Sequence, residues 1–287
     1  MSNFGIILVN KPVGITSFDV VKKIRKLTNI KKVGHTGTLD PFACGLLPVC
    51  IGKATRIAGK LSGKDKEYIV AMKLGIKTDT GDKTGRIVEQ RKIPELKLKD
   101  IEKIIPELLN IKSQVPHKFS AVKVDGKRAY QLAREDKEIK LKSRPIRILE
   151  FSVEKFNLPN IIYKITVSKG TYIRSLTETV AEKLNTIATS VELKRTKIGN
   201  LNIEDAIELE KLDQKNWKSY LHSLSDVFDN IQKYSCDSEE LDNFKNGKQF
   251  KVKLKKVDEI MVLNENNECI GFALIEQSTL KPRIVLI

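Results

Sequence analysis

Residues Val33–Gly52 read V-G-H-T-G-T-L-D-P-F-A-C-G-L-L-P-V-C-I-G. In these 20 residues Asp40 is the only formally charged side chain. Four glycines and two prolines surround it, so the backbone is tightly shaped and not helical. A carboxylate set among Leu39, Phe42, Ala43 and Leu46 is partly desolvated, which is costly unless a cation or hydrogen bonds compensate. Two readings stand. One is a turn aspartate before proline that accepts backbone N–H bonds. The other is a lone catalytic carboxylate on a rigid loop.

Outward from this stretch the chain alternates strand and helix signals. Gly5–Val9 is a short apolar run that suits a buried strand. After the turn residues Asn10–Gly14 a helix is expected near Ser17, capped by Thr16 or Ser17, with Val20, Val21, Ile24 and Leu27 as its apolar stripe. Strands are expected at Lys32–Gly34 and Glu67–Gly75, with apolar Leu46–Ile51 between them. Leu98–Leu109 has helical spacing, which Pro106 is expected to end or kink. Lys112–Arg144 is basic and polar without a period and reads as an excursion from the core. Ile146–Phe156 and Ile161–Ser168 look like paired strands. Thr171–Leu184 is the clearest amphipathic helix, with Tyr172, Ile173, Leu176, Val180 and Leu184 on one side. A strand near Ser190–Ile198 and a helix at Ile203–Leu212 follow. From about Tyr234 short strands and turns predict a small β-rich module of roughly 50 residues, near the lower size limit of an independent fold.

A cation to partner Asp40 is visible in Arg174, in the first turn of the Thr171 helix. The helix dipole disfavours cations there, so an arginine at that position makes sense if an anion meets it. The alternatives are an exposed Arg that tolerates a small penalty and a buried, bidentate pair with a carboxylate.

Composition bounds the function. The 287 residues carry 52 Lys+Arg against 36 Asp+Glu, a formal charge of +16. Residues 1–60 hold ten basic residues and two acids, a net of +8; Lys97–Arg147 holds 14 basic and 7 acidic, a net of +7. Two concentrated basic regions suggest a polyanion partner, most simply nucleic acid. No apolar run approaches the ~18 residues of a membrane span, and Met1–Val9 reads as a first strand, not a signal peptide. Cys44, Cys50, Cys236 and Cys269 form no C-x-x-C pair, and His35, His117 and His222 lie far apart. No metal or disulfide scaffold is expected, and a reducing cytoplasm fits.

The Val33–Val49 segment closely resembles the catalytic motif of the TruB family, the bacterial tRNA pseudouridine-55 synthases. So do N-K-P-V-G-I-T-S at Asn10–Ser17, D-K-E-Y at Asp65–Tyr68, L-G-I-K-T-D-T-G-D at Leu74–Asp82, Phe119–Arg134 and S-K-G-T-Y-I-R-S at Ser168–Ser175. The segments occur in family order from about Ile6 to Gly199. The C-terminal module resembles the family's PUA-like domain in position and layout, with N-G-K-Q at Asn246–Gln249 and K-P-R at Lys281–Arg283 as its main support.

The resemblance implies a mixed α/β (α+β) pseudouridine synthase fold with a largely antiparallel sheet. It implies a catalytic domain at 1–233, an inserted RNA-binding thumb at about 97–145, and a PUA-like domain at 234–287. The implied activity turns uridine 55 of the tRNA T loop into pseudouridine by breaking the N1–C1′ bond, rotating the base and rejoining it through C5. Asp40 matches the essential aspartate, a nucleophile toward the sugar C1′ or the base, or a group that assists glycal formation. Arg174 matches the arginine that pairs with it, and Tyr68 the catalytic tyrosine that stacks on the base and whose hydroxyl is available for proton transfer. His35 matches the histidine against the flipped nucleotide. Tyr172 and Leu193 match residues of the base pocket; taken alone, both would be read as core. Lys11 and Pro12 match the first motif, which supports the catalytic loop, and Lys11 is expected on the substrate-binding side, adding positive potential. Lys123, Lys127 and Arg128 fall in the thumb as phosphate contacts, with a solvated basic loop as the alternative. The resemblance implies the T arm of tRNA as partner, no cofactor, no membrane, no required protein partner and a monomer.

Rival readings are weaker. Asp79-Thr80-Gly81 resembles the D-T-G of aspartic proteases, but no second D-T-G or D-S-G exists to share a proton with it. A non-catalytic RNA-binding protein would not need Asp40, Tyr68 and Arg174 together. A guide-RNA-directed relative acting on ribosomal RNA would carry extra terminal segments.

Overall fold

The computed structural model describes residues 4–120, 122–124, 126–135 and 139–287. Its chain order begins with β1 (Gly5–Lys11), α1 (Ser17–Thr28), β2 (Val33–His35), β3 (Cys44–Ile51), α2 (Ala58–Ser62) and β4 (Lys66–Leu74). A hairpin of β5 (Ile76–Thr78) and β6 (Ile87–Gln90) and the helix α3 (Leu98–Leu109) follow. The basic excursion contains β7 (Ser113–Gln114), β8 (Lys123–Val124), β9 (Lys127–Arg128), α4 (Ala129–Arg134) and β10 (Arg144–Pro145). The chain then returns through β11 (Ile148–Asn157), β12 (Asn160–Val167), α5 (Ile173–Lys183) and β13 (Ala188–Ile198).

The central ten-stranded sheet has the order β11-β12-β4-β13-β3-β1, continued by the short β15 (Ile207–Glu208). β14 (Leu201–Asn202) and β16 (Leu221–His222) pair at its margin, as does β2. Pairing is antiparallel except for β13 with β3 and β1 with β15. The sheet is therefore mixed and largely antiparallel, as expected. One face buries Val70, Met72, Tyr163 and Ile165 against α3 and α5. Around β1 and β3, Val9, Leu47 and Val49 pack against Val20, Val21 and Ile24 of α1. Thr16 caps α1 in a reciprocal capping box with Asp19.

β7 and β10 pair antiparallel and close the base of the excursion. α3 packs on the main core through Ile101, Ile104 and Leu108, so the excursion proper begins after it.

After the short α6 (Leu224–Val227), the C-terminal part is β17 (Lys233–Ser235), α7 (Ser238–Lys245), β18 (Phe250–Lys251), β19 (Val257–Leu263), β20 (Cys269–Glu276) and β21 (Thr279–Val285). Its five-stranded sheet buries Phe244, Ile260, Val262 and Ile275 on one side. Met261, Leu263, Phe272 and Leu286 instead join Ile6, Leu8, Ile57 and Phe228 in one cluster shared with the main domain.

Three local expectations need correction. Pro106 does not end α3: the helix runs through to Leu109. Burial of its apolar stripe outweighs the roughly 3 kcal/mol cost of an interior proline. The helix expected at Ile203–Leu212 is absent. Two 3₁₀ turns, at Ile203–Asp205 and Leu209–Lys211, flank β15, whose Ile207 pairs with Val9. The turns bury Ile203, Leu209 and Leu212 without a continuous helix. Tyr172 is the N-cap of α5 and not part of its stripe. The sequence reading also missed α7, although Asp237 and Glu240 form a capping box at its start.

Candidate active site

Asp40 stands in the loop between β2 and β3. The loop is pinned from behind by the β1–α1 turn: Ser17 Oγ accepts from the Leu39 N–H at 2.8 Å and donates to the Leu39 carbonyl at 3.1 Å. The Gly14 N–H donates to the Pro41 carbonyl at 2.7 Å. Lys11 braces that same turn, its ammonium donating to the Pro12 carbonyl at 2.8 Å and the Ile15 carbonyl at 2.7 Å. The glycine at 45 is required by β13: a Cβ there would lie 2.3 Å from the Arg195 carbonyl oxygen, and φ is +105°.

Arg174 meets Asp40 from the first turn of α5. Its Nε lies 2.9 Å from Asp40 Oδ2, and Nη1 lies 3.6 Å from Asp82 Oδ2. Nη1 also donates to the Thr80 carbonyl at 2.7 Å, and Nη2 to the Phe119 carbonyl at 2.8 Å. The guanidinium is 4% exposed, so the penalty of a cation at a helix N-terminus is offset by two carboxylates and two carbonyls. Asp79-Thr80-Gly81 belongs to this support. Asp82 Oδ1 takes hydrogen bonds from the Thr80 hydroxyl at 3.0 Å and the Thr84 N–H at 2.9 Å, which aims its second oxygen at Arg174.

The Asp40 side chain keeps 34% of its surface, on a cavity of about 300 Å³. Tyr68 and Leu193 line this cavity from β4 and β13, and Tyr172 lines it from the start of α5. Tyr68 lies directly across the ladder from Arg195. Lys66 is two residues before Tyr68 and shares its face of the strand. Both Lys66 and Arg195 are buried and line the cavity. Sequence reasoning passed over these two cations and over Asp82. The available signals were Lys66 within D-K-E-Y and Arg195 two residues after Leu193 on the same alternation.

Burial raises the Asp40 carboxyl above the ordinary carboxylate range; Arg174 opposes this and Asp82 reinforces it. Burial, with Arg195 nearby, lowers Lys66 to about 8. At the base of the excursion, burial beside Arg174 and Lys118 pushes His117 down to about 3. Its Nδ1 accepts from the Phe119 N–H at 3.2 Å.

Not every candidate converges on the cavity. Lys11 is buried behind the loop and does not line the cavity. His35 does not line the cavity; its Nδ1 accepts from the Gly37 N–H at 3.3 Å. Lys123, Lys127 and Arg128 are exposed and lie together on the β8–β9 hairpin, Lys123 opposite Arg128. Among the described residues no helix is long and apolar enough to cross a membrane.

The model of the TruB family pseudouridylate synthase N-terminal domain matches residues 25–173. A tRNA pseudouridine synthase B of Clostridium novyi is 44% identical over 80% of this chain and 79% of its own. Another, of Clostridium tetani, is 38% identical over 93% of this chain and 94% of its own. A chain of an H/ACA ribonucleoprotein solved with a substrate RNA containing 2′-deoxyuridine superposes with a TM-score of 0.74. It is 21% identical and covers 99% of this chain and 86% of its own, a likeness of fold.

Proposed function

The chain belongs to the TruB family of pseudouridylate synthases, an isomerase family, and from that premise we propose that it converts uridine 55 of the tRNA T loop into pseudouridine. The observation that carries this reading is the Asp40–Arg174 pair, 2.9 Å apart, on a cavity of about 300 Å³ beside Tyr68.

The reaction is an isomerisation: the N1–C1′ bond breaks, a C5–C1′ bond forms, the C5 proton leaves and N1 gains one. Asp40 is the group that meets the reacting atoms. Ionised and held by Arg174, its carboxylate traps or stabilises the positive charge that develops at the anomeric carbon, or adds to the base. Arg174 sets both its charge and its direction. Tyr68 stacks on the detached uracil and keeps it in place while it turns, with Leu193 and Tyr172 as further walls. A uridine inside a folded loop must be flipped out to reach this depth. The exposed Lys123, Lys127 and Arg128 hold the T-arm backbone from the excursion, which acts as the thumb. The enzyme acts on tRNA without a protein partner and needs no cofactor.

The test is incubation with a full tRNA transcript, followed by pseudouridine mapping, for wild type and Asp40→Asn. The expected result is one modified T-loop uridine with wild type and none with the variant, at similar RNA affinity. Modification at another position would defeat the site assignment. Asp40→Asn activity within about tenfold of wild type, about 1.4 kcal/mol of barrier, would remove Asp40 from the chemistry.

A further inference from the structure

Opposite chemistry meets in one cavity. On the Asp40 side the lining cation, Arg174, meets carboxylates, Asp40 and Asp82. On the sheet side the lining cations do not. The Lys66 ammonium donates to the Ser62 carbonyl at 2.8 Å and to the Lys64 carbonyl. Arg195 Nε donates to the Leu46 carbonyl at 2.8 Å and Nη2 to the Gly37 carbonyl at 3.0 Å. Among the described residues neither cation has a carboxylate within ion-pair distance. Lys66 is 7% exposed and Arg195 1%. Among the described residues these carbonyl bonds leave one ammonium proton and three guanidinium N–H groups without an acceptor. Two buried like charges on one sheet face repel each other and are stripped of water, an arrangement that is costly unless an anion joins it.

A second observation points the same way. Among the described residues the hydroxyls of Thr36 and Ser120 are buried without a hydrogen-bond partner, and both residues line this cavity. Thr36 immediately precedes Gly37, whose carbonyl holds Arg195. Buried hydroxyls in native proteins are satisfied by protein, water or ligand, so orphans on a cavity wall are places where a ligand can supply the partner.

We propose that Lys66 and Arg195, with the Thr36 hydroxyl, form a phosphodiester subsite that grips the backbone phosphate adjoining the target uridine. The inference rests on reading the cavity as the nucleotide site, and it adds the group that binds there besides the base and sugar. A phosphodiester offers one negative charge and two non-bridging oxygens, which match an ammonium, a guanidinium edge and a hydroxyl. Neutral uracil does not. Both halves share one cavity, so the phosphate that fills the cationic half is carried on the nucleotide whose sugar faces Asp40. The grip fixes the sugar while the base is free to turn.

The test uses T-arm hairpin RNAs in which the linkage on the 5′ or the 3′ side of the target uridine is replaced by a neutral methylphosphonate. Binding and single-turnover product formation are measured with wild type and Lys66→Met. At one of the two positions the neutral linkage is expected to weaken wild-type binding about tenfold or more, and to change Lys66→Met binding by less than roughly twofold. Equal losses in both proteins would overturn the subsite. Because Lys66 also ties the end of α2, the wild-type arm stands alone if the variant fails to fold: no loss at either linkage would overturn the proposal. Normal pseudouridine formation with insensitive linkages would remove the subsite and leave the enzyme reading intact. Absence of product from every RNA would remove the enzyme reading, while the binding arm still reports on the subsite. Protection of RNA-free wild type by inorganic phosphate, with insensitive linkages, would assign the cations to a free anion and overturn the RNA contact.

Discussion

The side-chain amide of Gln114 is paired with both backbone groups of Tyr172: the Tyr172 N–H donates to Oε1 at 2.8 Å, and Nε2 donates to the Tyr172 carbonyl at 3.0 Å. Tyr172 caps α5 but has no side-chain cap of its own, so the base of the excursion supplies one. Two residues on, Arg174 donates to Phe119 of the same excursion. The basic arm and the Asp40 pair therefore share one helix terminus.

Gln114→Ala removes two hydrogen bonds, about 1 kcal/mol each, and leaves the start of α5 unsatisfied. Turnover is expected to fall more than tRNA affinity, with faster proteolysis between residues 112 and 144. Unchanged single-turnover rates would show that the clasp is structurally redundant.

Arg174→Ala leaves Asp40 and Asp82 facing each other without their shared cation. Breaking a buried pair costs ~3–5 kcal/mol, and the lower end applies because Asp40 keeps a third of its surface. Chemical denaturation should show a loss near ~3 kcal/mol, together with loss of activity. A loss below ~1 kcal/mol would mean the pair is solvated in solution.

Asp82 is a like charge that raises the Asp40 carboxyl. With Asp82→Asn that contribution disappears, so Asp40 ionises at lower pH. The acid limb of the single-turnover pH profile is expected to move down, not up. An unmoved limb would mean that Asp40 does not set it.

His117 is held at about 3 in the fold against an ordinary 6.5. Between these values the unfolded segment binds a proton that the folded one refuses. Stability is therefore lost as pH falls through this window. Proteolysis of the excursion should accelerate from pH 7 to pH 5. His117→Asn, which keeps an acceptor for the Phe119 N–H, should flatten that rise. A variant as acid-sensitive as wild type would exclude His117 as the cause.

Lys66 sits at about 8 in the fold against an ordinary 10.5, facing Arg195, Asp65 and Lys169. RNA affinity should fall as pH passes about 8 and the ammonium is lost. Stability of the RNA-free protein should instead rise between about 8 and 10.5, where the unfolded chain binds the extra proton. Lys66→Met should show neither trend. Parallel alkaline curves for both proteins would place the titration elsewhere.

Asp40 and Arg174 were legible because each broke a local rule: a lone carboxylate in an apolar loop, and a cation at the wrong end of a helix. Strands β4, β11, β12 and β13 announced themselves by alternation and turns. Lys66 and Arg195 did not, because a basic residue in a strand of a Lys-rich chain reads as the solvated face, and only the ladder register turns both inward. Asp82 was hidden for a related reason: its loop is polar, and its value depends on an arginine 92 positions away. The 3₁₀ turns after Ile203 were misread because apolar spacing of three suits both helix types.

The cluster that joins Met261, Phe272 and Leu286 to Ile6, Leu8 and Phe228 makes the C-terminal sheet part of the main scaffold. It is fastened again where Arg56 donates to the Val285 carbonyl at 2.5 Å and where Lys60 meets Glu259. The terminal sheet therefore serves as a lid on the core beneath β1. Ile6, Leu8 and Phe228 stay dry only while Met261, Phe272 and Leu286 cover them, so cutting the chain before β17 would bare apolar surface under the strand that runs into the Lys11 turn.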